Sequence, residues 1–153
     1  MTNTDFDFLA GTWDSVQRRL VKVLAGQDEW YEFDATLDCQ VLFDGTGVLD
    51  VLRAPERGYE GVALRLFSPD EQVWRIWWAS KNTGGVLDNP VVGRFEGAVG
   101  TFECDDVWEG TPIRVRYRWS QTDTEHPRWE QAFSTDEGAT WEVNWTADFT
   151  RRG

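Results

Sequence analysis

The 153-residue chain carries 15 Lys and Arg against 27 Asp and Glu, a formal charge of -12. That balance repels a phosphate backbone, and the one local arginine row, Arg114, Arg116 and Arg118, has acidic neighbours, so no nucleic-acid partner is expected. No run approaches the roughly 18 apolar residues of a membrane span, and MTNTDFDFLAG lacks the basic and apolar regions of a secretory signal.

Taken in chain order, the sequence opens on Asp5–Ala10, its best helical stretch and a turn or two at most. Strand signals then dominate, with alternating polarity, β-branched and aromatic enrichment, and regular breaks at Gly, Pro and Asp. A first run, Thr12–Leu24, ends near Ala25-Gly26-Gln27-Asp28. The second, Trp30–Leu42, alternates cleanly: Tyr31, Phe33, Ala35, Leu37, Cys39 and Val41 share a dry face, and Glu32, Asp34, Thr36, Asp38 and Gln40 a wet one. Asp44-Gly45 marks a tight turn. Runs follow at Val48–Arg53, Tyr59–Phe67, Gln72–Ala79, Val92–Glu96, Val99–Val107, Pro112–Ser120, Pro127–Ser134 and Thr140–Arg151. The loop Ser80–Pro90 is the longest glycine-rich connection and the candidate lid.

About ten strands with short connections predict a single all-β domain over residues 1–153. The expected fold is an antiparallel up-and-down meander closed into a barrel, which removes exposed edges. In the last runs Trp141, Val143, Trp145, Ala147 and Phe149 share one face. Trp129, Gln131 and Phe133 share another, as do Ile113, Val115, Tyr117 and Trp119. The outward Arg114, Arg116 and Arg118 are expected to face Arg128 and Glu130 across the sheet. In Trp74-Arg75-Ile76-Trp77-Trp78 the indoles fall on both faces, so at least one leaves the interior.

Gly11-Thr12-Trp13 at the first strand's entry resembles the Gly-x-Trp opening of lipocalin-like (calycin) barrels. There the Trp plugs the closed end, and a basic residue near the chain's end packs over it, which points to Arg151 or Arg152. Asp5-Phe6-Asp7-Phe8-Leu9-Ala10-Gly11-Thr12-Trp13, the Arg128–Ser134 run and Thr140-Trp141-Glu142-Val143-Asn144-Trp145 resemble a family of uncharacterised bacterial calycin-like domains. This resemblance implies a fold and no activity. Nitric-oxide and haem-binding barrels share the shape but need an axial histidine on a late strand. The single histidine, His126, falls in the turn Asp123–Pro127, so no haem, and no other cofactor, is expected. Ser134-Thr135-Asp136-Glu137-Gly138-Ala139-Thr140-Trp141 resembles the Asp-box of sialidase propellers, where it is a structural hairpin. It implies Asp136 bonded across the loop, Gly138 at positive φ and Trp141 packed beneath.

Catalytic signatures are sparse. A Ser–His–Asp triad has only His126 to draw on and no nucleophile elbow. Cys39 and Cys104 lack zinc spacing and read as reduced core residues, which sets a cytoplasmic expectation. Asp105, Asp106 and Glu109 read as an acidic loop, not a metal site. What remains is an aromatic interior with few polar interruptions, as small-molecule pockets have. The candidate ligand-binding residues are Gln17, Arg19, Trp74, Trp78, Tyr117, Trp119, Trp129, Gln131, Phe133 and Trp145. Three readings follow: a carrier of a small apolar or aromatic metabolite oriented by Arg19 and Gln131; a cofactor-free cyclase, isomerase or dehydratase with Asp50 or Glu96 as its inward acid; and a protein-interaction or homodimerising domain anchored by exposed Trp77 or Trp108.

Overall fold

In a computed structural model describing residues 2–152, the chain forms ten antiparallel strands in one closed barrel. They are β1 (Gly11–Leu20), β2 (Trp30–Leu42), β3 (Gly47–Ala54), β4 (Tyr59–Ser68) and β5 (Val73–Ser80), then β6 (Val91–Glu96), β7 (Val99–Trp108), β8 (Thr111–Ser120), β9 (Arg128–Ser134) and β10 (Glu142–Arg151). Each strand pairs with its neighbours in sequence, and β1 closes on β10 with Trp13 opposite Arg151 and Arg19 opposite Trp145. The helical opening shrinks to one 3-10 turn, Asp7–Leu9, and β1 stops at Leu20, four residues short of the expected run. No helix is long and apolar enough to cross a membrane among the described residues.

One end of the barrel is plugged. Phe6 and Leu9, fully buried, enter from the opening turn, and Trp13 donates its indole N–H to the Leu9 carbonyl at 2.8 Å. Phe6 packs edge-on against Trp74 and Phe95, with centroids 4.8 and 4.9 Å apart. Arg151 is the basic cover: its guanidinium lies 4.1 Å over Trp13 and donates to the Ala10 and Phe8 carbonyls at 2.6 and 2.9 Å. The clamp thus ties the last strand to the plug through charge-assisted bonds and a ring face.

Two side-chain faces differ from the sequence pattern. A register shift between Val143 and Trp145 breaks the β10 ladder. Trp145, Ala147 and Phe149 point inward, but Trp141 lies outside under the Arg116 guanidinium, 4.4 Å away. An extra residue in a strand flips the parity on one side of it, so the five-residue apolar face holds only after the bulge. The outward arginines also choose other partners: Arg114 pairs with Asp105 at 3.4 Å and Arg128 with Asp148 at 2.9 Å, while Arg118 only stands opposite Glu130 in the register.

The Ser134–Trp141 hairpin folds as its motif implies. Asp136 accepts from the Thr140 amide at 2.9 Å and the Thr140 hydroxyl at 2.5 Å, while the Ser134 hydroxyl donates to Asp136 and receives the Gly138 amide. Gly138 takes φ +92°, and a Cβ there would sit 3.5 Å from Trp141.

Candidate functional site

At the end opposite the plug the barrel is open. β1, β3, β5, β7 and β9 finish at this mouth, and β2, β4, β6, β8 and β10 begin there. Below the rim lies a cavity of about 630 Å³, walled by Tyr59, Trp78, Trp108, Tyr117, Phe133 and Trp145. A second chamber of about 60 Å³ lies deeper, sharing Trp78, Tyr117 and Trp145 and adding Gln17, Trp119 and Trp129. Trp145 meets Trp78 and Trp129 edge to face, with centroids 6.1 and 5.2 Å apart, so three indoles form one continuous wall.

Room for these rings comes from small residues facing them. Trp78 on β5 lies over Gly61 on β4 so closely that a Cβ at Gly61 would meet the indole at 2.3 Å. Ala63, opposite Trp78 in the register, also lines the deep chamber. The outward indole of the Trp74–Trp78 run is Trp77, which stands opposite Leu64 on the outer face, a cross-strand apolar pair. Trp108 faces inward and packs on Phe133 at 5.4 Å, so it is not the exposed anchor expected from its sequence.

Every proposed binding residue except Trp74 lines one of the two cavities. Trp74 belongs to the plug: it is fully buried, and its indole N–H donates to Asp5 at 2.9 Å. Gln17 is satisfied, donating to Ser15 and accepting from the Trp145 indole, each at 2.7 Å. Gln131 at the mouth donates to Asn144 at 2.8 Å. Arg19 lies over Trp145, its guanidinium carbon 4.2 Å from the ring centroid.

The structure adds an ion pair that the sequence pattern did not single out. Asp50 on β3 and Arg65 on β4, 2 % and 5 % exposed, bond side chain to side chain on the deep chamber's wall. The register sets them diagonally, Asp50 opposite Ala63 and Arg65 opposite Val48. Burial pushes the Asp50 carboxyl above its ordinary range, while the Arg65 guanidinium and an Ala63 amide pull the other way. Arg65 also lies 5.1 Å over Phe6, between plug and chamber. Glu96, the other inward acid considered, is exposed. The Nε of Arg65 and the indole N–H of Trp119 are buried with no hydrogen-bond partner among the described residues. Two donors on one chamber wall therefore lack an acceptor.

Around the rim, burial raises the Tyr59 phenol, with the Arg19 charge opposing, and burial raises Tyr117 as well. Asp88 is lifted by burial and by Asp106 nearby. Cys104 is pushed up to about 11 by burial and the charges of Asp106, Asp105 and Asp88, and Cys39 to about 12 chiefly by burial. Both thiols therefore stay protonated near neutrality and are poor nucleophiles. The Lys81–Thr83 turn and the loop after it supply Asn82, Thr83, Asp88 and Asn89 to the mouth, and the Asp88 amide donates to the Trp78 carbonyl at 2.8 Å. No group of three or more His, Cys, Asp or Glu side chains is placed to hold a metal ion among the described residues.

No family model matches the chain, and no curated protein matches it. Among solved structures it is similar to the crystal structure of Rv2717c from M. tuberculosis, with a TM-score of 0.59, 12 % identity and full coverage of both chains. At that identity the likeness extends to the fold alone.

Proposed function

We propose that the chain binds a small aromatic or apolar metabolite inside the barrel. The observation that carries this reading is the open-end cavity of about 630 Å³ faced by Trp78, Tyr117 and Trp145. That volume lies in the range of ordinary ligand pockets, and an indole wall favours flat, apolar molecules. The Gly11–Trp13 opening and the Arg151 clamp support a place among calycin-like barrels. The two free cysteines suit a reducing, cytoplasmic setting.

The neutral dye N-phenyl-1-naphthylamine, whose emission rises in apolar surroundings, tests the reading. Saturable one-to-one enhancement, reduced by Gly61→Leu through displacement of Trp78, is expected. Weak enhancement that never saturates would contradict it.

A second reading, a cofactor-free enzyme, is favoured by Asp50. It is a buried carboxyl of raised pKa beside a guanidinium on the chamber wall, a pattern typical of acid–base groups. Under this reading, Asp50→Asn abolishes conversion of any bound metabolite while leaving its binding intact. Unchanged conversion removes Asp50 from the chemistry.

A further inference from the structure

We infer that the ligand carries an anionic group, a carboxylate or sulfonate on an aromatic body, held at the mouth by Arg19 and Arg57. This rests on the binding reading above and adds polarity to it.

With 27 acidic residues in the chain, many surface arginines find carboxylates, while Arg94, Arg116 and Arg118 join no ion pair among the described residues but lie on the outer face, away from the cavity. Arg18, Arg53, Arg128 and Arg152 pair with Glu32, Asp38, Asp148 and Asp14. Arg19 and Arg57 line the mouth, yet neither joins an ion pair or a side-chain hydrogen bond among the described residues. Each rests on aromatic faces instead, Arg19 on Trp145 at 4.2 Å and Arg57 on Tyr31 and Phe33 at 4.6 and 5.6 Å. No protein acceptor among the described residues takes their side-chain N–H groups, so each guanidinium fork is available to receive a carboxylate in bidentate fashion.

The two cations share one neighbourhood. Tyr31 stands opposite Arg19 in the β1–β2 register, and the same ring carries Arg57. The anionic part of the rim lies across the barrel. Asp106 is on β7 and Asp88 precedes β6, and β6 is five strands round the ten-strand circuit from β1. A ligand anion is therefore attracted to one side and repelled from the other, which fixes one orientation in the cavity. An aromatic body extending inward from the arginines meets Trp78, Tyr117 and Trp145, the residues common to mouth and deep chamber.

Calorimetric titration of the intact chain with 2-naphthoate, 2-naphthamide and 2-naphthylmethylamine tests the inference with one ring system and three charges. At low salt naphthoate is expected to bind about tenfold more tightly than the amide. Arg57→Met, on an exposed turn, should weaken naphthoate binding more than amide binding and so erase most of that preference. Equal affinity for acid and amide would overturn the anionic inference and leave the cavity reading standing. Tighter binding of the amine would overturn it in favour of Asp88 and Asp106. No binding of any of the three up to about 1 mM would count against the cavity reading itself.

Discussion

At the scale of single residues the costliest feature is the Asp50–Arg65 pair. Moving two charges into a barrel interior loses several kcal/mol of hydration per ion, and their attraction only partly returns it. Nothing in the closed-barrel fold requires the pair, since the other inward residues of β3 are Val48, Leu52 and Ala54. Removing one partner is expected to be worse than removing both. Arg65→Met should destabilise the chain by about 3–5 kcal/mol at neutral pH, whereas Asp50→Leu with Arg65→Met should fold at least as stably as the parent. The pH dependence has a definite sign. Because the folded-state pKa of Asp50 is raised, the folded chain holds its proton more tightly than the unfolded chain. That contribution to stability is fully present below the ordinary value of 3.8 and is lost as pH rises from there through the folded value. Urea denaturation across that window should show the declining contribution in the parent and none in Asp50→Asn. An equal slope in both chains would contradict the assignment.

At the scale of elements, legibility followed how faithfully each strand kept a two-residue period. Strand β2 kept it throughout, and its dry face, from Tyr31 to Cys39, is the interior face. Strand β4 inverts the rule. Its more apolar set, Val62, Leu64 and Leu66, points outward, while Gly61, Ala63 and Arg65 face inward. Alternation cannot show this, because the interior of β4 is made small by Trp78 on the next strand, and Leu64 goes outside to meet Trp77. Arg65 was missed for the same reason: a lone arginine among leucines reads as an exposed charge until the neighbouring register is known. The turns were easier, since their chemistry is local. The β9–β10 hairpin gives a direct check. Asp136 is held down to about 2 by its bonds to Thr140 and Ser134. Its contribution to stability is therefore present above 3.8 and is lost as pH falls through about 2. Asp136→Ala should lower Tm at pH 7 and leave the parent and variant nearer to each other at pH 2. A constant difference in Tm between them would show that the carboxylate's charge is not what the hairpin uses.

At the scale of the molecule, the two ends of the barrel divide the work. The plug gathers Phe6, Leu9, Trp13 and Trp74 behind the Arg151 clamp and closes one end with packed rings. The opposite end arranges its aromatic residues as a wall around open volume. Ten meandering strands and one interior were legible because each strand is followed by its own break in composition. Trp13 was legible as a plug from its motif, but that Trp74 joins it was not, because parity tells inside from outside and is silent on depth along the axis. Trp74 and Trp78 share a face of β5, yet one ends in the plug and the other at the mouth.

The open cavity is the central claim, and a crystal soaked with N-phenyl-1-naphthylamine tests it most directly. Density for the dye between Trp78, Tyr117 and Trp145 is the predicted result. A saturated soak that leaves this space filled by repacked side chains, with dye only on the outer surface, would contradict the account.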